Sequence, residues 1–334
     1  MFQAPKSIQQ WQKTASDSLP EGLLENAKPV VLRGFIAHWP IISHAQTNHR
    51  ALQSYLLEYY NGVDVHVMRS DAKYKGRLFY NEDLSGFNFS RNKQKLTEVF
   101  SELNDHLPPD SATVYVGSTA VNSVFPGLRN DNDLSCLPSN ALASIWMGNQ
   151  TRIAAHYDAP DNIACVVAGQ RRFTLFAPEQ IDNLYVGPID FTPAGQPASL
   201  VDFHQIDYRR FPKFKYALDA SESAILAPGD AIYIPANWWH HVEALSDFNV
   251  LVNYWWRQVE DYIGVPGDAL LHAMLAIKTL PAPQKKAWQH IFDHYIFHDN
   301  PHAHIPPKML GLLGDVDATV ARRLRALLIN KLNR

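Results

Sequence analysis

His156, Tyr157 and Asp158 stand together, and His240 follows 82 residues after Asp158, with His241 beside it. In an extended strand residues i and i+2 share a face, so His156 and Asp158 can point one way while Tyr157 turns the other. His240 follows YIPANWW, which reads as a strand, a proline turn and the start of another strand. Two imidazoles and one carboxylate on one face of a metal leave positions open opposite, an arrangement suited to non-haem Fe(II) oxygen chemistry. The same alternation puts His240 and His241 on opposite faces, and the one turned away from the metal is a surface or supporting histidine. An isolated HxD or HH is common by chance, so the order of strands around the pair carries the weight. A second group, His290, His294 and His298, recurs at i, i+4 and i+8 of a predicted helix, but no Cys or carboxylate pattern completes a zinc spacing.

The elements around these residues are short and β-rich. From about Ala112 to Trp256, strand-like runs (ATVYVGS, ALASIWMG, NIACVVAG, RRFTLFAP, ESAILAPG, DAIYIPA, WHHVEAL, NVLVNYWW) are broken by Gly, Pro, Asn and Asp. That pattern predicts a sandwich or barrel. A long Pro-rich interruption runs from roughly Glu179 to Leu218, and a loop of that length inside a β domain is commonly functional. Before it, KPVVLRGF and VDVHVM read as strands; LQSYLLEYY and KLTEVFSELNDHL read as helices, the second stopped by Pro108-Pro109. After Trp256 the apolar spacing turns to 3.6 in ALLHAMLAIKTL, KKAWQHIFDHYIF and VARRLRALLINKL. The expected organisation is an α/β N-terminal elaboration (1–110), a jelly-roll core (111–258) and a helical C-terminal region (259–334).

Composition narrows the function classes. The chain has 334 residues with 46% hydrophobic and 19% charged, which excludes a largely disordered protein. Thirty Lys and Arg against 33 Asp and Glu provide no global field for nucleic acid. The two cysteines, Cys136 and Cys165, make neither a disulfide framework nor a Cys-rich zinc site and suit a reducing compartment. The start, MFQAPKSIQQWQK, lacks a signal pattern, and no stretch reaches the roughly 20 apolar residues of a membrane span. The expectation is a soluble, cytoplasmic protein.

HYDAPDNIACVVAGQRRFTLFAPEQ, PGDAIYIPANWWHHVEAL and VNYWW together resemble the Jumonji-C, cupin-like 2-oxoglutarate oxygenases. VDFHQIDYRRFPKF is similar to a stretch of the branch typified by the asparaginyl hydroxylase that inhibits hypoxia-inducible factor, and KPVVLRGFIAHWP resembles the wider family's N-terminal signature. The resemblance covers most of residues 28–257 and implies a double-stranded β-helix (jelly-roll, cupin) core. It makes His156, Asp158 and His240 the Fe(II) ligands. It makes Arg171 the cation for the far carboxylate of the cosubstrate 2-oxoglutarate, where the branch commonly has Lys, and Tyr115 the phenol partner. Asn162, Asn253 and Trp255 match positions near cosubstrate and metal. Arg172 competes with Arg171 in sequence but should face the other way. Ile153 stands where the branch type has Thr, and Pro197-Ala198 where the branch type has the Arg-Gln pair that holds its asparagine.

The resemblance implies an O2-dependent hydroxylase acting on a C–H bond of a protein or peptide side chain, or of a small molecule, with release of succinate and CO2. Two other classes fit the same motif: a cupin using its metal for non-oxidative chemistry, and a non-catalytic binding module. Val320, Leu324, Leu327, Leu328 and Leu332 form an apolar stripe at helical spacing, and the branch dimerises through C-terminal helices, so a homodimer is expected.

Overall fold

The computed structural model describes residues 5–12, 18–105, 112–299 and 301–333. The Pro108-Pro109 stop and the expected 110/111 boundary lie outside them. By internal contacts the chain divides into two compact units, Met1–Trp256 and Arg257–Arg334.

Two sheets build the first unit. The smaller, of six strands, runs in the order Lys6–Ser7, Glu222–Leu226, Arg171–Phe176, Trp239–Ala244, Arg152–Tyr157, Arg77–Leu78. The larger, of nine, runs Gln9–Gln12, Val30–Arg33, Ala231–Ile234, Asp161–Ala168, Asn249–Trp256, Leu142–Gly148, Thr113–Ala120, Val65–Ser70, Phe89–Gln94. From Leu142 onward the chain passes repeatedly between the two sheets, and its strands pair antiparallel. This is the jelly-roll winding that the short, evenly punctuated strands predict. Strands from the first 110 residues extend both sheets on both sides rather than forming a sheet of their own.

Asp161–Ala168 shows why the sequence winds this way. All eight of its residues are buried, the mark of a strand covered on both faces. Ala164 and Val166 pack with Phe173, Ile232 and Leu251 in a core shared by the two sheets. Ile163, Cys165 and Val167 turn outward onto Trp39, Leu52 and Leu56. Each fully buried aliphatic side chain of this kind contributes about 1.5–3 kcal/mol. The covering helix His49–Tyr59 is capped by Asn48, whose side chain accepts from the Ala51 N–H at 2.9 Å. Helix Leu96–Asp105 buries Leu96, Val99, Phe100 and Leu103, the i, i+3, i+4, i+7 face of an amphipathic helix.

The long interruption is ordered. It begins with a 3₁₀ stretch, Pro178–Asn183, returns through a Val186↔Ser199 bridge, and ends in helix Phe214–Ala220. Its own core joins Leu184, Val201, Phe211 and Phe214 to Phe176 and Trp239 of the smaller sheet.

The Arg257–Arg334 unit carries helices Pro266–Ile277, Ala282–Phe292 and Ala318–Leu332. The predicted helix through His298 is interrupted: Asp293–Phe297 winds into a π turn and His298 is extended, so His290, His294 and His298 do not continue one α-helical face. No helix is long and apolar enough to cross a membrane among the described residues.

Candidate metal centre

Strand Arg152–Tyr157 lies antiparallel to Trp239–Ala244 with His156 directly opposite His240. Their ring centroids are 4.3 Å apart. Asp158 follows the end of the first strand, with one carboxylate oxygen 3.7 Å from His240 Nε2. The candidate ligand atoms of His156, Asp158 and His240 all lie within 4.8 Å of one another, the one such cluster among the described residues.

Local hydrogen bonds set each ligand's orientation. His156 Nδ1 meets the Ala154 carbonyl at 2.9 Å, and His240 Nδ1 meets that of Trp238 at 3.0 Å. With Nδ1–H donated to a carbonyl, Nε2 of each ring carries the lone pair for a metal. Burial, reinforced by the neighbouring His156, pushes His240 down to about 4, and Asp158 only partly offsets this. The ring is therefore neutral near pH 7, as a metal ligand must be. Asp158 Oδ2 accepts from Trp255 Nε1 at 3.0 Å and from Asn162 Nδ2 at 3.4 Å. Asn253 Nδ2 in turn donates to Asn162 Oδ1 at 2.8 Å. Asn253 and Asn162 thus form a chain of donors ending on the carboxylate, to which Trp255 donates directly.

The turn that delivers His240 is held by Asp161, a residue the sequence does not single out. Its Oδ1 accepts from the Tyr233 hydroxyl at 2.8 Å and from the Ala236 N–H at 3.2 Å. Asn237, at φ 63°, completes the reversal, and its N–H bonds the Asp158 carbonyl at 2.8 Å.

All eight expected site residues line one cavity of about 340 Å³: Tyr115, His156, Asp158, Asn162, Arg171, His240, Asn253 and Trp255. Arg171 opens strand Arg171–Phe176, four residues along from Leu175, which pairs with His240. At about 3.3 Å per residue its Cα lies roughly 13 Å along the strand from the His240 level, at the deep end. It is 1% exposed, and Nε and Nη2 have no hydrogen-bond partner. Burial pulls its pKa below the ordinary arginine value, which the Tyr115 hydroxyl partly restores. The same pairing works on Tyr115, whose pKa burial raises and Arg171 lowers. A buried guanidinium with a phenol for company and no carboxylate is costly unless an anion completes it. Arg172 faces outward and pairs with Glu243 at 3.1 Å. His241 is also on the outer face, its ring 4.3 Å from that of Phe203.

The cavity receives side chains that neither motif nor periodicity marks. Met68 and Leu78 come from the N-terminal strands, and Pro193, Ala194 and Gln196 from the long interruption. Ser118 enters at a bulge in Thr113–Ala120, where its φ is 26° and the register with Leu142–Gly148 shifts. Ile153 lines the wall opposite Val242, so an aliphatic side chain stands where a hydroxyl is expected.

A family model described as a cupin-like domain matches residues 16–262. Lysine-specific demethylase JMJ31 of Arabidopsis thaliana is 33% identical over 124 residues, which is 36% of this chain and 22% of that protein. Lysine-specific demethylase 8 of Xenopus tropicalis is 26% identical over 238 residues, 69% of this chain and 48% of that protein. tRNA wybutosine-synthesizing protein 5 of Danio rerio is 36% identical over 104 residues, 31% of this chain and 29% of that protein. The chain therefore spans between about a fifth and a half of the lengths of these relatives.

Proposed function

The chain belongs to the cupin-like domain family, and we propose that it is an Fe(II)- and 2-oxoglutarate-dependent dioxygenase that hydroxylates a substrate C–H bond. The observation that carries this reading is one cavity holding two kinds of incomplete site. Three ligand atoms are gathered for a metal, and a buried, under-partnered guanidinium is set for an anion. A metal-only cupin or a binding module has no need of the second.

His156, Asp158 and His240 would hold Fe(II), and Arg171 with Tyr115 would hold the far carboxylate of 2-oxoglutarate. Bound there, iron and cosubstrate supply the oxidising chemistry, with succinate and CO2 as products. The protein's residues supply position and charge. Trp255 and Asn162 fix the Asp158 carboxylate, and Asn253 fixes Asn162. The Ala154 and Trp238 carbonyls fix the two rings. Arg171 balances the single negative charge left when the dianion joins Fe(II) and Asp158, which matters in a site this buried. The aliphatic wall formed by Ile153, Val242 and Leu251 excludes water. No general base is required for removing hydrogen from carbon in such chemistry.

Within the family, the VDFHQIDYRRFPKF segment supports placing the chain near the factor-inhibiting asparaginyl hydroxylase branch. The substrate group is then a side chain of a protein or peptide, with a small molecule as the other option. Cys136 and Cys165, neither of them in a disulfide, fit a cytoplasmic setting. A homodimer through the C-terminal helices is part of the same reading, supported by how little that unit buries: Ala321 is the one buried residue among its described positions.

Succinate formation tests the activity. Purified protein supplied with Fe(II), ascorbate and O2 is expected to convert 2-oxoglutarate to succinate slowly without substrate. The conversion should cease in Asp158→Ala. Metal-dependent loss of 2-oxoglutarate without succinate would favour the non-oxidative cupin instead.

A further inference from the structure

The same cavity has a second half, on the other side of the candidate metal ligands from Arg171. Strand pairing fixes its walls. Leu142 lies opposite Trp255, and Ala198 bridges to His156 at the strand edge. Pro160, Pro193, Ala194 and Gln196 complete the lining. The segment carrying the last three is pinned over the cavity. Its base closes through the Val186↔Ser199 bridge and the Ser199 N–H, which bonds the Ala155 carbonyl at 2.7 Å. Its tip is held by the Tyr80 hydroxyl on the Phe191 carbonyl, by Arg91 on the Pro193 carbonyl, and by Phe87 stacked 4.6 Å from Phe191.

Two features of this half bear on what it can admit. The first is charge. Among the described lining residues Asp158 is the one carboxylate, and it already accepts from Trp255 and Asn162 in the metal cluster. Fe(II), Asp158, the 2-oxoglutarate dianion and Arg171 sum to zero. An ammonium or guanidinium group brought to the metal would add a charge with no further carboxylate on this lining to neutralise it, which is disfavoured beside a partly buried metal site. The second is polarity. Against leucine, prolines, alanines and an indole, Gln196 is the one long polar side chain on this wall. It is half-buried and has no hydrogen-bond partner among the described residues. A carboxamide both donates and accepts, so it can fix an amide, carbonyl or hydroxyl without demanding charge.

We propose that the group this site takes in is uncharged, and that Gln196 is the specificity-determining side chain on its wall. The proposal rests on the oxygenase reading, because the charge balance assumes metal and cosubstrate in the deep half. It sets this chain apart from a site built for a lysyl ammonium, even though two of its relatives carry lysine-specific names.

The test is ligand-observed saturation-transfer NMR on the full chain loaded with Zn(II) and 2-oxoglutarate. The probes are the N-acetyl methylamides of norleucine, glutamine, lysine and trimethyllysine. In the wild-type protein the two neutral probes should bind at least about tenfold more tightly than the two cations. Gln196→Glu, which adds a carboxylate at nearly constant shape, should reverse that order. Cationic probes that match the neutral ones in the wild type would overturn the proposal. So would a Gln196→Glu protein that keeps the wild-type order, or the absence of saturable binding by both neutral probes. The 2-oxoglutarate resonances in the same tubes separate the two levels. If 2-oxoglutarate does not bind, the oxygenase reading fails and takes this proposal with it. Normal 2-oxoglutarate binding with the wrong probe order defeats the proposal alone.

Discussion

At the deep end of the cavity a guanidinium sits 1% exposed with two of its nitrogens unpartnered. Removing one side of a buried, charge-assisted pair costs about 2–5 kcal/mol. Arg171→Ala is therefore expected to raise the 2-oxoglutarate KM by at least about 30-fold while metal affinity stays near wild type, and Arg171→Lys should recover part of the loss. Unchanged KM would remove Arg171 from the cosubstrate site. For the ligands, His156→Ala, Asp158→Ala and His240→Ala should each abolish succinate formation. His241→Ala should retain turnover, because its ring packs on Phe203 outside the cavity. Loss of metal binding in His241→Ala but not in His240→Ala would put the strand register wrong. Strand alternation is a strict period of two, so the sequence puts 240 and 241, and 171 and 172, on opposite faces, while the resemblance to the Jumonji-C oxygenases is what points to His240 and Arg171 within each pair. Asp161 is not legible in that way. Its part in the turn before His240 depends on Tyr233, on the strand paired with its own, and on Ala236, in the turn beyond that strand.

Between residue and fold, the position of Tyr115 depends on how closely two strands approach. Gly148 pairs with Tyr115 across the larger sheet, and a Cβ on Gly148 would stand 2.4 Å from the Val114 carbonyl oxygen and 3.1 Å from the Tyr115 Cα. Backbone cannot yield there as a side chain could. Gly148→Ala is expected to destabilise the fold by about 1–3 kcal/mol, as overpacking does, and to raise the 2-oxoglutarate KM through displaced Tyr115. A calorimetric melt and a KM both at wild-type values would contradict this. The core strands are legible because each run is short and bounded by turn residues. The walls contributed by Pro193–Gln196 are not, since irregular chain has no periodicity to read. What brings them over the metal cluster is a pair of bridges, Val186↔Ser199 and His156↔Ala198, whose partners on the long segment lie in no motif. Lys6–Ser7 and Gln9–Gln12 escape for a different reason: they are short, polar edge strands that pair parallel to their neighbours.

At the scale of the whole molecule, the Arg257–Arg334 unit leaves large apolar side chains uncovered. Leu275 and Phe297 are each 74% exposed, and Leu327, Leu328, Ile329 and Leu332 of the last helix lie open as well. Apolar surface of this extent is what the proposed homodimer would cover. Light scattering at micromolar concentration should find a dimer, and Leu324→Arg/Leu328→Arg should run as a monomer. A monomeric wild type, or a double mutant that stays dimeric, would reject association through that helix. Helical periodicity reveals the stripe in the sequence, but periodicity alone cannot say whether a stripe faces its own chain.

The most direct measurement is an anaerobic titration of the Fe(II)-loaded protein with 2-oxoglutarate, followed by visible absorption. Chelation of the keto acid end to iron held by His156, Asp158 and His240 should produce a saturable charge-transfer band. Asp158→Ala should show none, and Arg171→Ala should need far more 2-oxoglutarate to reach the same band. A wild-type protein that binds Fe(II) yet develops no band at saturating 2-oxoglutarate would contradict the assignment of this cavity to a 2-oxoglutarate oxygenase.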